Sequence, residues 1–484
     1  MDKFYHFLTL TGIGLYWFLV AGVTLRVVLK RRAVSVSLAW LMIIYILPVL
    51  GVACYFLFGE LNLGRKRAER AKEMFTPFAK WFSQLNDCHA HMPETMGRHI
   101  YRIDELCNNR LGLPALSGNT LSLQQSPDDI LHSIIEDIEN AKTSIRMVFY
   151  IWHPGGLADS VASALIQASK RGVDVKLLLD SAGSPRFFRS PWYKMMKDSG
   201  IEVIQALEVK MWRMFLRRLD LRQHRKIIVI DDEIAYTGSM NLVDPAYFKQ
   251  SSGVGRWIDI MVRVTGPTVN VLSAIHCWDW EVETGERYLP KLPECKIDNS
   301  KYQHPIQVVP SGPGMPEYLI YQVLTLAINQ ANRSVRITTP YFVPNTDLLE
   351  TLKMTAQRGI DVELIIPHKN DSLMVQWASR AFYSELLAAG VKIYEFYGGL
   401  LHTKSVVIDD QFCLVGTVNM DMRSLWLNFE VTLAVDDEEF TKQLSWLQDG
   451  YIKQSHPVVL DVWEKRSLYS RFLERVFYLF NPLL

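Results

Sequence analysis

The chain contains an internal repeat, and this repeat limits the possible folds more than any other feature of the sequence. Three pairs of similar segments follow the same order in the two halves: Ala141–Ile151 with Ala331–Phe342, Arg171–Asp180 with Arg358–Pro367, and Ser199–Val203 with Ala389–Ile393. In each half a stretch with helical periodicity precedes a short apolar run, and a second helix and a second run follow. Because helices alternate with short β-rich runs, the sequence predicts two duplicated α/β domains.

Each half also carries the same set of polar residues at the same spacing. The first copy consists of His224, Lys226, Asp231, Ser239 and Asn241, and the second of His402, Lys404, Asp409, Thr417 and Asn419. Every residue of the first copy lies 178 positions before its counterpart in the second. Ordinary residue frequencies would produce one such match in roughly one chain in 10⁵. Two matches at a constant offset are therefore not accidental.

The spacing of the first copy predicts a β-hairpin. His224 and Lys226 are two positions apart, so on a strand their side chains project from one face. The apolar run Ile227–Ile230 continues this strand, a polar turn follows, and Ile234–Thr237 runs back. Pairing about the turn brings Gly238–Asn241 beside the histidine. Each hairpin is thus expected to gather an imidazole, an ammonium, a hydroxyl and a carboxamide.

The aspartates of the two copies, Asp231 and Asp409, complete the motif and count among its catalytic candidates. Each falls at the predicted turn, far from the histidine end of its hairpin. This position favours a structural role over acid–base chemistry. We expect each carboxylate to cap the turn or to pair with a lysine.

These residue types suit phosphoryl transfer without a metal or cofactor. Lysine and asparagine donate hydrogen bonds to phosphate oxygens, and a serine or threonine hydroxyl adds another donor. Neutral histidine can attack phosphorus or accept a proton, and protonated histidine can donate one. Two copies brought together would bind one phosphodiester between two lysines and two asparagines. One histidine would attack in line and the other would protonate the leaving alcohol.

The two H-x-K-x4-D-x6-G-[ST]-x-N copies resemble those of the phospholipase D superfamily, and the resemblance to its bacterial cardiolipin-forming members covers nearly the whole chain. It implies two halves packed about a pseudo-twofold axis with both motifs at their interface. It also implies that His224 is a nucleophile that forms a phosphohistidine, and that His402 is the general acid and then the base. An acidic residue downstream of each motif should hydrogen-bond its histidine. Glu430 fits that pattern, and Asp259 is a shorter substitute.

The reaction that this resemblance implies is an exchange of phosphodiesters. One phosphatidylglycerol loses glycerol to leave a phosphatidyl-enzyme, and the headgroup hydroxyl of a second phosphatidylglycerol takes the phosphatidyl group to give cardiolipin. The expected partners are therefore the lipids phosphatidylglycerol and cardiolipin, and the sequence does not indicate a protein partner. A phospholipase D hydrolase, or a transferase with another acceptor alcohol, carries the same motifs and stays open.

Two further functions compete with lipid chemistry. A nuclease with the same motif pair should carry a basic groove, but the residues after position 75 include 42 basic and 47 acidic side chains. The charge therefore predicts no nucleic-acid partner. A non-enzymatic membrane scaffold would tolerate the loss of either motif, and both motifs are intact.

Two apolar stretches near the start predict a membrane anchor. Phe4–Leu25 and Ala33–Gly59 contain no charged residue. The other positions of residues 1–75 carry ten basic and four acidic side chains. Each stretch reaches the roughly 20 residues that cross a bilayer. We expect a two-helix transmembrane hairpin and a multi-pass protein of the bacterial inner (plasma) membrane. The loop between the two stretches and the segment after the second stretch are both basic, so the positive-inside rule does not decide on which side of the membrane the active site lies. Shallow re-entrant insertion of the hairpin is the alternative to two full spans.

The expected organisation has four parts: a transmembrane hairpin at 1–64, a membrane-proximal connector at 65–115, and phospholipase D-like domains at 116–300 and 301–484. The six cysteines are scattered and predict no disulfide framework. Cysteines and histidines crowd positions 88–107, but their spacings match no zinc module, so no metal site is expected.

Two basic and aromatic segments have less certain roles. The first, Lys210–Arg222, covers the region in which the first half has a dozen residues more than the second half. Its spacing suits either an interfacial helix on anionic lipid or an amphipathic helix packed on the protein. For the second, Arg471–Leu484, a terminal helix docked on the core is favoured over an interfacial one.

Overall fold

The computed structural model describes residues 2–30, 34–59, 64–85, 98–208, 220–293 and 304–480. These residues form two compact units. The first holds the described residues up to Ala68 together with Asp220 and Leu221, and the second holds Glu69–Glu208 and the described residues of Arg222–Leu484, which include most of both halves of the repeat.

The N-terminal unit contains one long apolar helix and two short ones. They are α1 (Asp2–Leu29), α2 (Val34–Ile46) and α3 (Pro48–Cys54), followed by a π-helical turn at Tyr55–Gly59. In α1, Lys3–Leu29 is the one stretch of the described residues that is long and apolar enough to cross a membrane. The aromatic and aliphatic side chains on most of its surface are exposed.

The second expected span is not one continuous helix. Helix α2 has 13 residues, which at about 1.5 Å per residue gives roughly 20 Å, short of the roughly 30 Å hydrocarbon layer. It ends before Pro48, whose nitrogen carries no proton and cannot continue the helical hydrogen bonds. Val20 and Val27 of α1 pack with Ile44 of α2 and Tyr55 in a small apolar cluster. The two-span hairpin expected over Phe4–Leu25 and Ala33–Gly59 is therefore not confirmed.

Two connector helices, α4 (Arg65–Ser83) and α5 (Arg98–Leu111), lead into the body of the chain. Phe78 of α4 packs its ring against Trp278, with the ring centroids 5.0 Å apart. In α5 the Asp104 carboxylate accepts a hydrogen bond from the Ala115 amide at 2.7 Å. From residue 69 onward, the described parts of α4 and α5 thus contribute to the core of the second unit.

The first half of the repeat forms a seven-stranded sheet. Its elements are β1 (Thr120–Gln124), α6 (Pro127–Asn140), β2 (Ser144–Phe149), α7 (Leu157–Lys170), β3 (Asp174–Asp180), α8 (Pro185–Phe188), α9 (Pro191–Asp198), β4 (Glu202–Ala206), β5 (Ile227–Ile230), β6 (Ile234–Gly238), β7 (Trp257–Ile258), β8 (Met261–Thr265) and α10 (Thr268–Thr284). The strand order is β1-β8-β6-β5-β2-β3-β4. Strands β2, β3 and β4 are parallel and the other neighbours are antiparallel.

The second half repeats this arrangement. Its elements are β9 (Ile306–Ser311), α11 (Leu319–Asn329), β10 (Ser334–Thr338), β11 (Phe342–Val343), α12 (Thr346–Gln357), β12 (Asp361–Pro367), α13 (Leu373–Arg380), α14 (Tyr383–Ala388), β13 (Lys392–Phe396), β14 (Leu400–Leu401), β15 (Ser405–Ile408), β16 (Phe412–Gly416), β17 (Met420–Asp421), α15 (Met422–Trp426), β18 (Glu430–Val435), α16 (Glu438–Lys453), β19 (Ser455–Pro457), α17 (Leu460–Glu464) and α18 (Leu468–Tyr478). The order is β19-β13-β12-β10-β15-β16-β18-β9.

The two sheets correspond strand for strand, which confirms the duplicated α/β body. Read from β1 and from β9, seven strands follow in equivalent order, and β19 is added at the far edge of the second sheet. Each of these two large sheets consists of strands from one half only. The exact domain bounds at 116–300 and 301–484 stay a prediction.

One apolar core joins the two halves. Val229 and Val262 of the first sheet belong to the same buried cluster as Val308 and Leu433 of the second, and Trp278 of α10 lies among them. Helix α10 is buried along nearly its whole length because sheet residues from both halves cover it. The shared core fixes the ends of β5 and β15 relative to each other, and the site lies at those ends.

The C-terminal helix α18 packs on the body but presents apolar side chains outward. Tyr478 lies against Phe382, with ring centroids 5.4 Å apart. Leu468 is 83% exposed and Phe472 64% exposed, whereas Glu474 is only 2% exposed. Glu474 is paired with Arg466 at 2.7 Å. The helix is docked as expected, and its outer face is unusually apolar.

Candidate active site

The two hairpins form as the sequence predicts. Strand β5 pairs antiparallel with β6, with Ile227 opposite Thr237, and β15 pairs with β16 in the same way. Gly238 and Gly416 follow, and a Cβ atom at either would overlap a backbone carbonyl oxygen of the neighbouring strand. Glycine is therefore required where the motif chain passes next to β8 and β18.

Backbone pairing with the opposite half holds each histidine in place. The His224 amide donates a hydrogen bond to the Phe429 carbonyl, and the Phe429 amide donates to the Arg222 carbonyl, both at 3.0 Å. In the other copy, β14 and β7 pair in parallel and the His402 amide donates to the Ile258 carbonyl at 2.8 Å. Phe429 and Ile258 directly precede the two acidic residues. Each histidine is therefore fixed beside the acid of the other half.

The side chains complete this crossing. His224 Nδ1 lies 2.8 Å from Glu430 Oε2, and His402 Nδ1 lies 2.7 Å from Asp259 Oδ1. The two acidic residues are those expected, but the expectation that each orients the histidine of its own motif is wrong. Because the segments cross between the halves, Glu430 reaches the first histidine and Asp259 reaches the second. Neither half alone contains a complete histidine–carboxylate pair.

The motif hydroxyls bond these carboxylates. Ser239 Oγ donates to Asp259 at 2.6 Å and accepts from the Ile260 amide at 3.0 Å. Thr417 Oγ1 donates to Glu430 at 2.5 Å and accepts from the Val431 amide at 3.0 Å. Both hydroxyl groups are fully buried. This geometry favours an orienting role for Ser239 and Thr417 over the predicted contact with a phosphate oxygen.

The two motif lysines are buried beside their own histidines. Lys226 Nζ donates to the His224 carbonyl at 2.7 Å, and Lys404 Nζ donates to the His402 carbonyl at 2.5 Å. Burial lowers the pKa of Lys226 to about 8 and that of Lys404 to about 7, although nearby carboxylates oppose the shift. Each ammonium group keeps further N–H donors for a ligand. An anionic phosphodiester between them would restore the solvation that burial removes.

Burial also sets the charge of the histidine–acid pairs. It lowers the pKa of His224 and of His402 to about 4 each, with the partner carboxylate opposing and the lysines reinforcing the shift. For Glu430 and Asp259 burial alone would raise the pKa, but the neighbouring histidine, lysines and hydroxyl together lower it. The carboxylates are therefore ionised. A neutral imidazole that donates from Nδ1 to a carboxylate leaves its Nε2 lone pair available.

The motif asparagines are buried near the histidines. Asn241 Oδ1 accepts a hydrogen bond from the Ile151 amide at 3.2 Å. Asn419 Nδ2 donates to Ser424 Oγ at 3.2 Å. Its Oδ1 has no partner among the residues that the structure describes. Contact of the two carboxamides with a phosphate stays a prediction.

Asp231 and Asp409 lie at the turns and bind backbone amides of the preceding loop. Asp231 accepts from the amides of Lys142, Thr143 and Ser144 at 2.7–2.9 Å. Asp409 accepts from the three equivalent amides, at positions 332, 333 and 334, over the same range. The geometry supports the structural interpretation: the carboxylates bind the amides at the start of β2 and of β10, and in the part of the chain that the structure describes neither is paired with a lysine side chain. Each aspartate follows its histidine by seven positions, about 23 Å along an extended chain.

Two aromatic rings that the sequence reasoning missed lie on the histidines. The Tyr150 ring is 5.1 Å from His224, and the Trp257 ring is 4.3 Å from His402. Tyr150 follows β2, and Trp257 stands two positions before Asp259. Their positions beside a repeated strand end and a predicted acid were visible in the sequence. Nothing in the repeat pattern indicated that the rings would contact the imidazoles.

Arg225, between the first histidine and lysine, ties the halves together. Its side chain is fully buried, forms an ion pair with Asp279, and donates to the carbonyls of Glu430 at 3.0 Å and Ser311 at 2.9 Å. The equivalent residue of the second copy is Thr403. Arg225 therefore anchors the backbone of the acid that bonds His224, and only the first histidine has this support.

Some expectations fall outside the described residues. Positions 210–219 of the basic segment Lys210–Arg222, positions 88, 89 and 91 of the cysteine–histidine cluster, and the last four residues of Arg471–Leu484 all lie there. Within the described part of the chain, no group of three or more His, Cys, Asp or Glu residues is arranged to hold a metal ion.

Comparison with known proteins agrees with the duplicated site. Residues 134–259 and 324–447 match the family described as "Cardiolipin synthase, PLD-like domain", and residues 12–60 match "Phospholipase_D-nuclease N-terminal". The chain is 53% identical over 486 positions to "Cardiolipin synthase A" of Yersinia pseudotuberculosis serotype O:3 (strain YPIII), with 100% of both chains covered. The same name, identity and coverage apply to a protein of Yersinia pestis.

A solved structure shares the fold at low identity. The crystal structure of phosphatidylserine synthase from Haemophilus influenzae Rd KW20 superposes with a TM-score of 0.59 and 16% sequence identity. The match covers 80% of this chain and 98% of that one. At this identity the likeness concerns the fold alone.

Proposed function

Because the chain belongs to the phospholipase D-like cardiolipin synthases, we propose that its crossed site catalyses phosphatidyl transfer between two phosphatidylglycerol molecules, yielding cardiolipin and glycerol. The observation that carries this proposal is the pair of buried histidines, each bonded to the carboxylate of the opposite half, with a buried lysine beside each. Such a set can place one histidine at the attacked side of a phosphodiester and the other histidine at the side of the leaving alcohol.

In the first step His224 is the nucleophile. Glu430 accepts a hydrogen bond from Nδ1–H of His224 and so holds the tautomer whose Nε2 lone pair attacks phosphorus. The bond from phosphorus to the glycerol oxygen breaks, and His402 gives that oxygen a proton from Nε2. Lys226, Lys404 and the two asparagines hold the non-bridging oxygens as charge develops. The product is a phosphatidyl group on His224 and free glycerol.

In the second step the direction reverses on a new alcohol. The headgroup hydroxyl of the second phosphatidylglycerol gives its proton to His402 Nε2 and attacks the phosphohistidine. The P–N bond breaks, and His224 returns to its neutral form. The protons balance over the two steps, and one phosphodiester replaces another, so the reaction is reversible. Burial of the site limits attack by water.

His402 must be protonated for the first step, although burial lowers its pKa to about 4. The phosphodiester brings a negative charge into the site and raises the pKa of the adjacent imidazole. Protonation of His402 is thus coupled to binding of the lipid. Glu430 and Asp259 stay ionised, and each stabilises the cation that forms on its histidine.

The chain is associated with the membrane through its N-terminal apolar helix. We propose the bacterial inner membrane as its location, with α1 crossing once. The interrupted segment of α2 and α3 would enter the apolar layer without crossing it. Tags placed before α1 and after α3 would then be accessible from opposite sides of spheroplasts, whereas a two-span hairpin would leave both on the same side.

The test of the proposed function uses purified protein in detergent or liposomes, phosphatidylglycerol vesicles and a chelator. We expect cardiolipin and glycerol in equal amounts, and we expect His224→Ala and His402→Ala each to abolish turnover. Acid-labile labelling of the protein by radioactive phosphatidyl groups should disappear in His224→Ala. Phosphatidic acid as the sole product would indicate a hydrolase instead, and an active single-histidine variant would contradict the paired mechanism.

A further inference from the structure

A charged bridge between the halves lies outside the two motifs. Asn241 and Asp259 are 18 positions apart, whereas Asn419 and Glu430 are 11 apart, so the first half has a longer loop here. Lys249 lies in this loop with a left-handed backbone (φ 45°). Its Nζ is 2.9 Å from Asp371 Oδ2 of the second half, and the Tyr341 hydroxyl donates to the other Asp371 oxygen at 2.8 Å.

This bridge lies on the His402 side of the site. The Lys249 ammonium is 5.2 Å from the centroid of the Trp257 ring, and that ring is 4.3 Å from His402. Burial alone would raise the pKa of Asp371, but Lys249 and, after it, the charge of His402 lower this pKa. The bridge is therefore one aromatic ring away from the imidazole that the proposed mechanism assigns to the leaving and incoming alcohols.

Lys249 remains partly accessible although its partner is not. Its side chain is 43% exposed, while that of Asp371 is 9% exposed. An ammonium group has three N–H donors, and Asp371 is bonded by one of them. The Tyr341 hydroxyl and the Trp257 ring restrict where the ammonium can lie. A solvent-facing cation held in this way can receive an anionic group from outside without large rearrangement.

The acceptor of the proposed reaction carries such a group. The second phosphatidylglycerol presents a hydroxyl to His402, and a three-carbon bridge connects this hydroxyl to a phosphate that does not react. The reacting phosphate is already held by Lys226 and Lys404. The acceptor's own phosphate, which does not react, needs a separate cation on the side from which the acceptor enters.

We propose that Lys249, oriented by Asp371 and Tyr341, binds the intact phosphate of the acceptor lipid. The proposal rests on the proposed function, including the assignment of His402 to the alcohols. Arg222 instead hydrogen-bonds Tyr150, whose ring centroid lies 5.1 Å from that of His224. Lys249 thereby selects an anionic glycerophosphate headgroup over water or an uncharged alcohol. It is a specificity residue for the second step and is not needed to form the phosphatidyl-enzyme.

The experiment compares two acceptors in the same vesicles. Full-length protein is given phosphatidylglycerol vesicles and radioactive glycerol. Cardiolipin reports transfer to the charged acceptor, and label incorporated into phosphatidylglycerol reports transfer to the uncharged one. Lys249→Met should lower the ratio of cardiolipin to labelled phosphatidylglycerol by about tenfold or more, the effect of losing one charge-assisted hydrogen bond. Glycerol exchange itself should change little, and Lys249→Arg should retain most of the ratio.

Two controls separate this role from a structural one. Lys442→Met removes an exposed lysine of α16, paired with Glu438, and should leave the ratio unchanged. Lys249→Gln replaces Lys249→Met if thermal unfolding shows that the latter is not folded. An equal fall of both products, or an unchanged ratio in a folded Lys249 variant, would overturn the acceptor subsite alone. Wild-type protein that exchanges glycerol but forms no cardiolipin would overturn the proposed function as well.

Discussion

At the scale of single residues, the carboxylates next to the histidines organise the site. Glu430 accepts from both His224 and Thr417, and Asp259 accepts from both His402 and Ser239. The hydroxyl fixes the carboxylate and the carboxylate fixes the imidazole tautomer. In the proposed mechanism the imidazole then meets the substrate. The repeated motif identified the histidines and the hydroxyl residues, and the family resemblance identified the two acids. Because the resemblance was applied to each half separately, it paired each acid with the wrong histidine.

Replacement of Glu430 by glutamine tests this chain of contacts. The amide keeps the shape but removes the charge that holds the Nδ1 proton and stabilises the histidine cation. We expect kcat to fall about a hundredfold, with a smaller change in KM. Initial rates over a range of phosphatidylglycerol fractions in mixed micelles measure both parameters. Glu438→Gln, on the exposed start of α16, is the matched control, and equal activity of the two variants would contradict the role.

The shifted pKa values predict a limited pH range for activity. As the pH rises through about 7 and then about 8, Lys404 and Lys226 lose their protons and their hold on phosphate weakens. As the pH falls through about 4, His224 becomes protonated and loses its nucleophilic lone pair. As the pH rises above about 4, His402 of the free enzyme loses the proton that the first step requires, and this loss adds to the fall on the alkaline side. The expected profile of kcat/KM therefore falls on both sides, and it can be measured with subsaturating lipid. A rate that keeps increasing above the pKa of Lys226 would contradict a role for the lysine ammonium groups.

At the scale of elements, regular local structure was predictable and pairing between distant segments was not. The hairpins of β5–β6 and β15–β16 follow from apolar runs on either side of a polar turn. Strands β7 and β14 have two residues each, too few for any periodicity, and they exist because they pair with each other across the halves. The break before Pro48 was visible in the sequence, but composition alone suggested a continuous span.

The turn aspartates belong to this scale, since each joins a hairpin to the loop before another strand. Asp409→Ala removes the acceptor for three backbone amides and should lower the free energy of unfolding by about 1–3 kcal/mol. Asp409→Asn keeps an acceptor and tolerates the left-handed backbone there, so its loss should be smaller. Denaturant unfolding followed by fluorescence measures both. If Asp409→Ala were as stable as the wild-type protein but lacked activity when folded, a catalytic role would be correct instead.

At the scale of the whole molecule, lipid chemistry requires contact with a membrane surface. Helix α18 presents exposed Leu468, Tyr469 and Phe472, and the exposed Arg471 and Arg475 lie on the same helix. Such a surface suits the headgroup region of an anionic bilayer.

The double substitution of Leu468 and Phe472 by serine tests this surface. We expect weaker sedimentation with phosphatidylglycerol vesicles and lower activity on vesicles, because the apolar face contributes to interfacial binding. Activity in detergent micelles should be retained. The same substitutions at Val459 and Val462 of the preceding segment, also exposed, serve as a comparison. Unchanged vesicle binding in the Leu468 and Phe472 variant would show that this helix face has no part in it.

The crossing of the acids between the halves has a consequence for biosynthesis. A ribosome completes the first half, with His224, well before Glu430 has been synthesised. Until the second half has folded onto the first, His224 has no carboxylate partner and Asp259 has no histidine. In the proposed mechanism, His224 is therefore not held in its nucleophilic tautomer during synthesis. Catalytic competence appears only when folding is complete, which protects the surrounding lipid from a partly made enzyme.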